Sequence, residues 1–84
     1  MKHHATAAFW KSYAALPKEI QDVADRNFEL LKADPRDPSL HLKEVGRFWS
    51  VRVGRQWRAL AVRNGHDLVW FWIGSHADYD RLIG

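Results

Sequence analysis

The stretch FWSVRVGRQWRALAVRNGHDLVWFWIG, Phe48 to Gly74, decides the fold. It holds three runs rich in β-branched and aromatic residues, Phe48 to Val53, Trp57 to Arg63 and Asp67 to Ile73, separated by short joints containing glycine. Runs of this length and composition between turn residues read as strands. A shorter run, Leu42 to Val45, precedes them, which gives three or four strands. Asn64-Gly65 is a hairpin signal, because both residues tolerate the positive φ of a type I′ turn. Strands joined this closely must be antiparallel.

The same stretch carries Arg52, Arg55, Arg58 and Arg63, with no acid among them until Asp67. If the joint Gly54 to Gln56 is a three-residue loop, Arg52 lies opposite Arg58. If only Arg55 and Gln56 form it, the two fall on opposite faces, because the side-chain period of a strand is two. Gly54 suits the three-residue connection, which favours the first arrangement. Two adjacent arginines repel unless an anion sits between them, and their planar forks match phosphate oxygens. The bland alternative is that each arginine pairs with a carboxylate from a helix.

Working outward, Phe9, Tyr13 and Leu16 recur at helical spacing, and Pro17 ends that segment. A second helix begins with Pro17 in its first position and Glu19 in its first turn. Its apolar stripe is Ile20, Val23, Ala24, Phe28 and Leu31, and it ends near Ala33. DPRDPS follows, a turn or loop set by Pro35 and Pro38. A last short helix runs from Ser75 to Ile83, with Ser75 as N-cap and Asp78 three residues on. The expected class is α+β: two N-terminal helices packed on a three- to four-stranded antiparallel sheet, then a short C-terminal helix. In the last strand Leu68, Trp70 and Trp72 alternate with Val69, Phe71 and Ile73, so both sheet faces are apolar. One face takes the helices, and the other must be covered by the C-terminal segment or by a partner.

A chain of 84 residues is one domain, 1–84, with a small core to which the five Trp must contribute. There are no cysteines, which removes disulfides and zinc-thiolate sites and fits a reducing compartment. No apolar run is long enough to span a bilayer, and the start MKHHATAAFW has no signal-peptide pattern, so the sequence reads as cytoplasmic with no membrane role. His3 and His4 receive no role. Net charge is +3 and unevenly spread: acids and bases balance between Lys11 and Asp37, whereas Lys43, Arg47, Arg52, Arg55, Arg58 and Arg63 face only Glu44. That is the footprint of a polyanion partner, with Lys43, Arg47, Arg55 and Arg63 placed to track a phosphate backbone.

LPKEIQDVADRNFELLKADPRDPSLHLKEVGRFWSVRVGRQWRALAV, followed by WFWIGSHADYDRLI, resembles the RelE/ParE superfamily of toxins from bacterial toxin–antitoxin pairs over nearly the whole chain. The resemblance lies in the order and spacing of LP..IQ, DPR.PSL, WSVRVG, WRAL and IGSHADYD. It implies a RelE/ParE-like fold and a cognate antitoxin, with a toxin–antitoxin hetero-oligomer as a possible assembly. For the RelE-like branch it implies a ribosome-dependent mRNA endonuclease that needs neither metal nor cofactor. The ParE-like branch instead inhibits DNA gyrase, and an inactive binding module of the same fold is a third reading. The nuclease positions carried onto this chain are Arg52, Arg58, His76 and Tyr79.

RNA cleavage by its own 2′-hydroxyl needs a base, cations for the charge growing on the phosphate, and an acid for the departing oxygen. Arginine stays protonated, so Arg52 and Arg58 supply cations only. His76 is the candidate base or acid, and Tyr79 a proton donor or a base-stacking ring. Against these stand plainer roles: His76 bonding a carbonyl at a helix start, Tyr79 simply packing, and Trp49, Trp57, Trp70 and Trp72 as core. Some superfamily members carry a lysine where this chain has Ser50, and an arginine where it has His76; Lys43 and His41 are the candidates to compensate. His41, His66 and His76 show no metal-ligand spacing.

Overall fold

The computed structural model of the chain describes residues 2–84. Helix α1 (Ala7–Ala14) is capped by Thr6, whose hydroxyl accepts from the Phe9 N–H at 3.1 Å. Helix α2 (Lys18–Ala33) begins one residue later than its proline suggests. Pro17 is the N-cap, and its carbonyl accepts from the Ile20 and Gln21 N–H groups. After α2, the Asp37 carboxylate accepts from the Ser39 N–H at 2.9 Å and opens a 3₁₀ turn, Pro38–Leu40. That turn drives Leu40 into the core at 1% exposure, so DPRDPS is an anchored connection.

The sheet contains β1 (His3–Ala5), β2 (Lys43–Val45), β3 (Phe48–Val53), β4 (Trp57–Asn64) and β5 (Asp67–Ser75), in the order β1-β5-β4-β3-β2. Strands β2 to β5 form the expected antiparallel meander. The fifth strand, β1, was not expected and makes the sheet mixed, because it runs parallel to β5. Nothing in His3-His4-Ala5 alternates like a strand; tertiary hydrogen bonds make it one. The Leu68 N–H donates to the Lys2 carbonyl and the Thr6 N–H to the Trp70 carbonyl, both at 3.0 Å. Asp67 accepts from the Lys2 N–H at 3.3 Å and lies 3.1 Å from His4 Nε2.

Val53 pairs with Trp57, so Gly54, Arg55 and Gln56 form a three-residue loop, with Gly54 at φ +64°. The β4–β5 turn is shifted one residue from the expected Asn64-Gly65. Asn64 pairs with Asp67 and stays in the strand, leaving Gly65-His66 as the turn with φ +65° at Gly65. Gly46-Arg47 joins β2 to β3 in the same way. A glycine in the first central position is what a II′ turn requires.

Val51, Val53, Ala59, Ala61, Leu68, Trp70 and Ile73 line one sheet face and pack with Leu16, Leu31 and Leu40. The alternation expected in β5 is broken. Ala61 pairs with Trp70 but Leu60 pairs with Trp72, so Phe71 is the extra residue of a β-bulge. Trp72 therefore leaves the face of Trp70, and Ile73 takes its place. Helix α3 (His76–Ile83) packs on the opposite face through Tyr79, so the C-terminal segment covers part of it. Two residues expected in the core are not there: Trp10 is 55% and Phe28 40% exposed. Both line an apolar cavity of about 270 Å³ between α1, α2 and the sheet. The short side chains of Ala24, Val51 and Ala59 in its lining leave that space open.

Candidate functional site

Strand register brings Arg52 and Arg58 directly opposite one another. Both lie on the face that carries α3, since their neighbours Val51, Val53 and Ala59 point into the other core. Like charges placed opposite each other across a sheet are destabilising. Among the described residues the ion pairs are His4–Asp67, Lys18–Asp22, Lys32–Glu29, His76–Asp80 and Arg81–Asp78, and neither arginine is in any of them. The helix-carboxylate alternative therefore fails for this pair. Arg52 Nε is buried without a hydrogen-bond partner, although the Arg52 carbonyl accepts from Asn27 Nδ2 at 3.2 Å and is tied to α2. An unmet buried donor costs about 1–3 kcal/mol, which functional sites tolerate and cores rarely do.

Arg58 is held from two sides. Its Nη1 donates to the Trp57 carbonyl at 2.9 Å, and its guanidinium lies 5.9 Å from the centre of the Tyr79 ring. Tyr79 is only 5% exposed, so it packs, and in packing it supports Arg58. Its ring stacks on His76 with centroids 6.1 Å apart. The His76 imidazole is about half exposed, with Nδ1 3.4 Å from an Asp80 oxygen. It does not cap the helix: the cap is the Ser75 hydroxyl, which accepts from the Asp78 N–H at 3.1 Å. The His76 backbone N–H donates to the Gln56 carbonyl at 2.7 Å, tying the start of α3 to the β3–β4 loop. Arg55, Gln56, Arg58, Ser75 and His76 line an open cleft of about 410 Å³.

The four candidates for the chemistry thus form a chain of neighbours, of which Arg58 and His76 line the cleft, whereas the four candidates for RNA contact divide. Arg55 lies in the cleft. Lys43 pairs with Ser50 on the arginine face. Ser50 itself is 2% exposed. Arg47 sits in the β2–β3 turn at the far end of the sheet. Arg63 pairs with Leu68, which belongs to the helix-side core, and its Nε donates to the Gly65 carbonyl at 2.8 Å. Five residues of strand separate Arg63 from Arg58, about 17 Å.

The motif reading missed Gly74, Trp72 and Asp80. Gly74 is the cross-strand partner of Arg58, and a Cβ there would stand 2.4 Å from the Trp72 ring. The indole lies across the site floor because residue 74 has no side chain. A glycine inside a strand marks such a close approach, and this was the signal available in WFWIG. Among the described residues no three His, Asp or Glu side chains gather to hold a metal ion.

A mixed sheet in this order, two helices on one face and a C-terminal helix on the other, is the architecture of RelE/ParE toxins. Residues 19–81 match the model of the ParE-like toxin domain, and the chain belongs to that family. A chain of the RelB–RelE antitoxin–toxin complex from Methanococcus jannaschii superposes with a TM-score of 0.74 at 14% identity, covering 96% of this chain and 99% of that one. YafQ from E. coli gives 0.69 at 14% identity, with 93% and 96% covered. A YoeB/ParE toxin from Agrobacterium tumefaciens gives 0.66 at 16% identity, with 90% and 99% covered. Identities this low speak for the fold alone. No curated protein matches the sequence closely enough to count as a relative.

Proposed function

We propose that this chain is the toxin of a toxin–antitoxin pair and that it cleaves ribosome-bound mRNA in the cytoplasm, without a metal, through the RNA's own 2′-hydroxyl. The observation that carries the reading is the Arg52–Arg58 pair, opposed in register and without a carboxylate partner, in which Arg58 shares a cleft with His76. A phosphate between the two guanidiniums removes their repulsion and gives their donors acceptors. His76 takes the 2′-hydroxyl proton, the oxygen attacks the adjacent phosphorus, and the bond to the 5′ oxygen breaks. The products are a 2′,3′-cyclic phosphate and a 5′-hydroxyl whose proton returns from His76 or water. Asp80 orients the imidazole, and Tyr79 fixes Arg58 without touching RNA.

Solved structures with this fold include RelB–RelE complexes from Methanococcus jannaschii and Pyrococcus horikoshii, which supports an antitoxin as partner. An acid-rich segment of that antitoxin over Arg52 and Arg58 would silence the site. The second reading is a gyrase inhibitor without nuclease activity. In its favour, the matched family model is ParE-like. Induction in cells followed by mapping of mRNA ends, alongside a gyrase supercoiling assay, separates the two. Cyclic-phosphate ends within coding sequence support the nuclease; inhibited supercoiling with intact mRNA supports the alternative.

A further inference from the structure

The bulge in β5 has placed two consecutive aromatic residues, Phe71 and Trp72, on one face of the sheet. Without the bulge Trp72 would point toward the helices with Trp70. The Phe71 ring lies 5.4 Å from that of Phe48 on β3, tilted by 51°. Phe48, Phe71 and Trp72 are each partly open to solvent. They share the face of Arg52 and Arg58, with Trp72 over Gly74 nearest the arginines and the two phenylalanines beyond. Arg52 and Phe48 are four residues apart on one strand, about 13 Å. Bulges commonly re-aim a side chain beside a functional site.

The charges around these rings select the occupant. Lys43 stands on the same face opposite Ser50, and Arg47 immediately precedes Phe48. Glu44 pairs with Trp49, which packs on the helix-side core, and so faces away. The Asp67 carboxylate is engaged by His4 and the Lys2 N–H. Aromatic rings between cations and away from free acids form a surface for unpaired nucleotides, whose bases stack on the rings while the phosphates meet the cations. A partner presenting carboxylates alone would leave the rings unused.

We infer that Phe48 and Phe71 form a stacking platform for an unpaired base of the RNA strand whose phosphate lies between Arg52 and Arg58. This rests on the nuclease reading for its register and adds a second contact on the single strand. Because every base has a π-face, the platform is tolerant of sequence and demands only an unstacked nucleotide.

The test uses an octanucleotide with 2′-O-methyl groups throughout, which blocks cleavage, and 2-aminopurine at each position in turn, titrated at low salt. Fluorescence should be quenched strongly at one position. Phe48→Leu with Phe71→Leu keeps apolar area and removes both rings; it should abolish that quenching and weaken binding about tenfold or more. If the double variant fails to fold by circular dichroism, Phe71→Leu scored against Phe71→Tyr makes the same comparison, with only the tyrosine variant retaining the quenching. Quenching and affinity unchanged by loss of the rings would overturn the platform. So would leucine variants that bind RNA normally but lose a co-purifying protein, since the face would then be a protein interface. Cleavage of ribosome-bound mRNA is scored separately. Cleavage with no effect of the rings removes the platform and leaves the nuclease, and ring-dependent binding without cleavage does the reverse.

Discussion

Arg58 and Gly74 face each other across β4 and β5, and between them they show how far single residues could be read. The opposition of Arg52 and Arg58 followed from Gly54, whose left-handed backbone opens a three-residue loop and fixes register. The support under Arg58 did not follow, because the pitch and rotation of α3 depend on packing that no local pattern encodes. Gly74→Ala forces Trp72 off the strand and should cost about 1–3 kcal/mol, read from denaturant unfolding together with a change in tryptophan emission. His76 and Ser75 separate chemistry from capping. His76→Ala should lower the cleavage rate by about 10²–10⁴ with the unfolding midpoint nearly unchanged. Ser75→Ala should lower stability by about 1 kcal/mol, since its hydroxyl is the cap, and leave cleavage largely intact.

Among the elements, β2 to β5 and the three helices were legible from periodicity and turn residues, because their hydrogen bonds are local or join chain neighbours. Strand β1 was not, because its partner lies more than sixty residues away. Its anchor is chemically specific: Trp70 Nε1 donates to His3 Nδ1 at 3.1 Å, which requires that nitrogen to be unprotonated. Burial above all, then the positive charges of the chain terminus, His4 and Lys32, hold the His3 pKa below 6.5, with Asp67 opposing. The folded state therefore binds this proton less readily than the unfolded chain. The stabilisation is whole above pH 6.5 and falls as pH drops through the lowered folded value. The urea midpoint should decline between neutral and mildly acidic pH, and His3→Gln, whose amide oxygen can still accept from Trp70, should flatten that decline. An equal decline in the variant would remove His3 as its cause. Asp67, held low chiefly by its bond to His4, acts in a separate and more acidic window, below the ordinary carboxylate range.

For the whole molecule, the basic second half leads to the expectation of a polyanion partner, and the fold divides its charges between two faces. Arg63 lies on the helix side at the far end, so it and Arg55 cannot contact one short strand in the same way. Log affinity for single-stranded RNA against log salt should lose about 0.7 in slope when Lys43 or Arg55 is replaced by alanine, and little for Arg63→Ala. Equal losses at all three positions would mean a diffuse attraction instead of a track. The central claim is that Arg52 and Arg58 jointly hold the scissile phosphate. The most direct measurement is the rate at which purified protein cleaves mRNA on programmed ribosomes, compared with Arg52→Ala and Arg58→Ala variants shown to be folded. The unmodified protein should cleave, and each variant should lose about 10²–10³ in rate. Undiminished cleavage in both variants, or gyrase inhibition with no cleavage by any of the three, would contradict that claim.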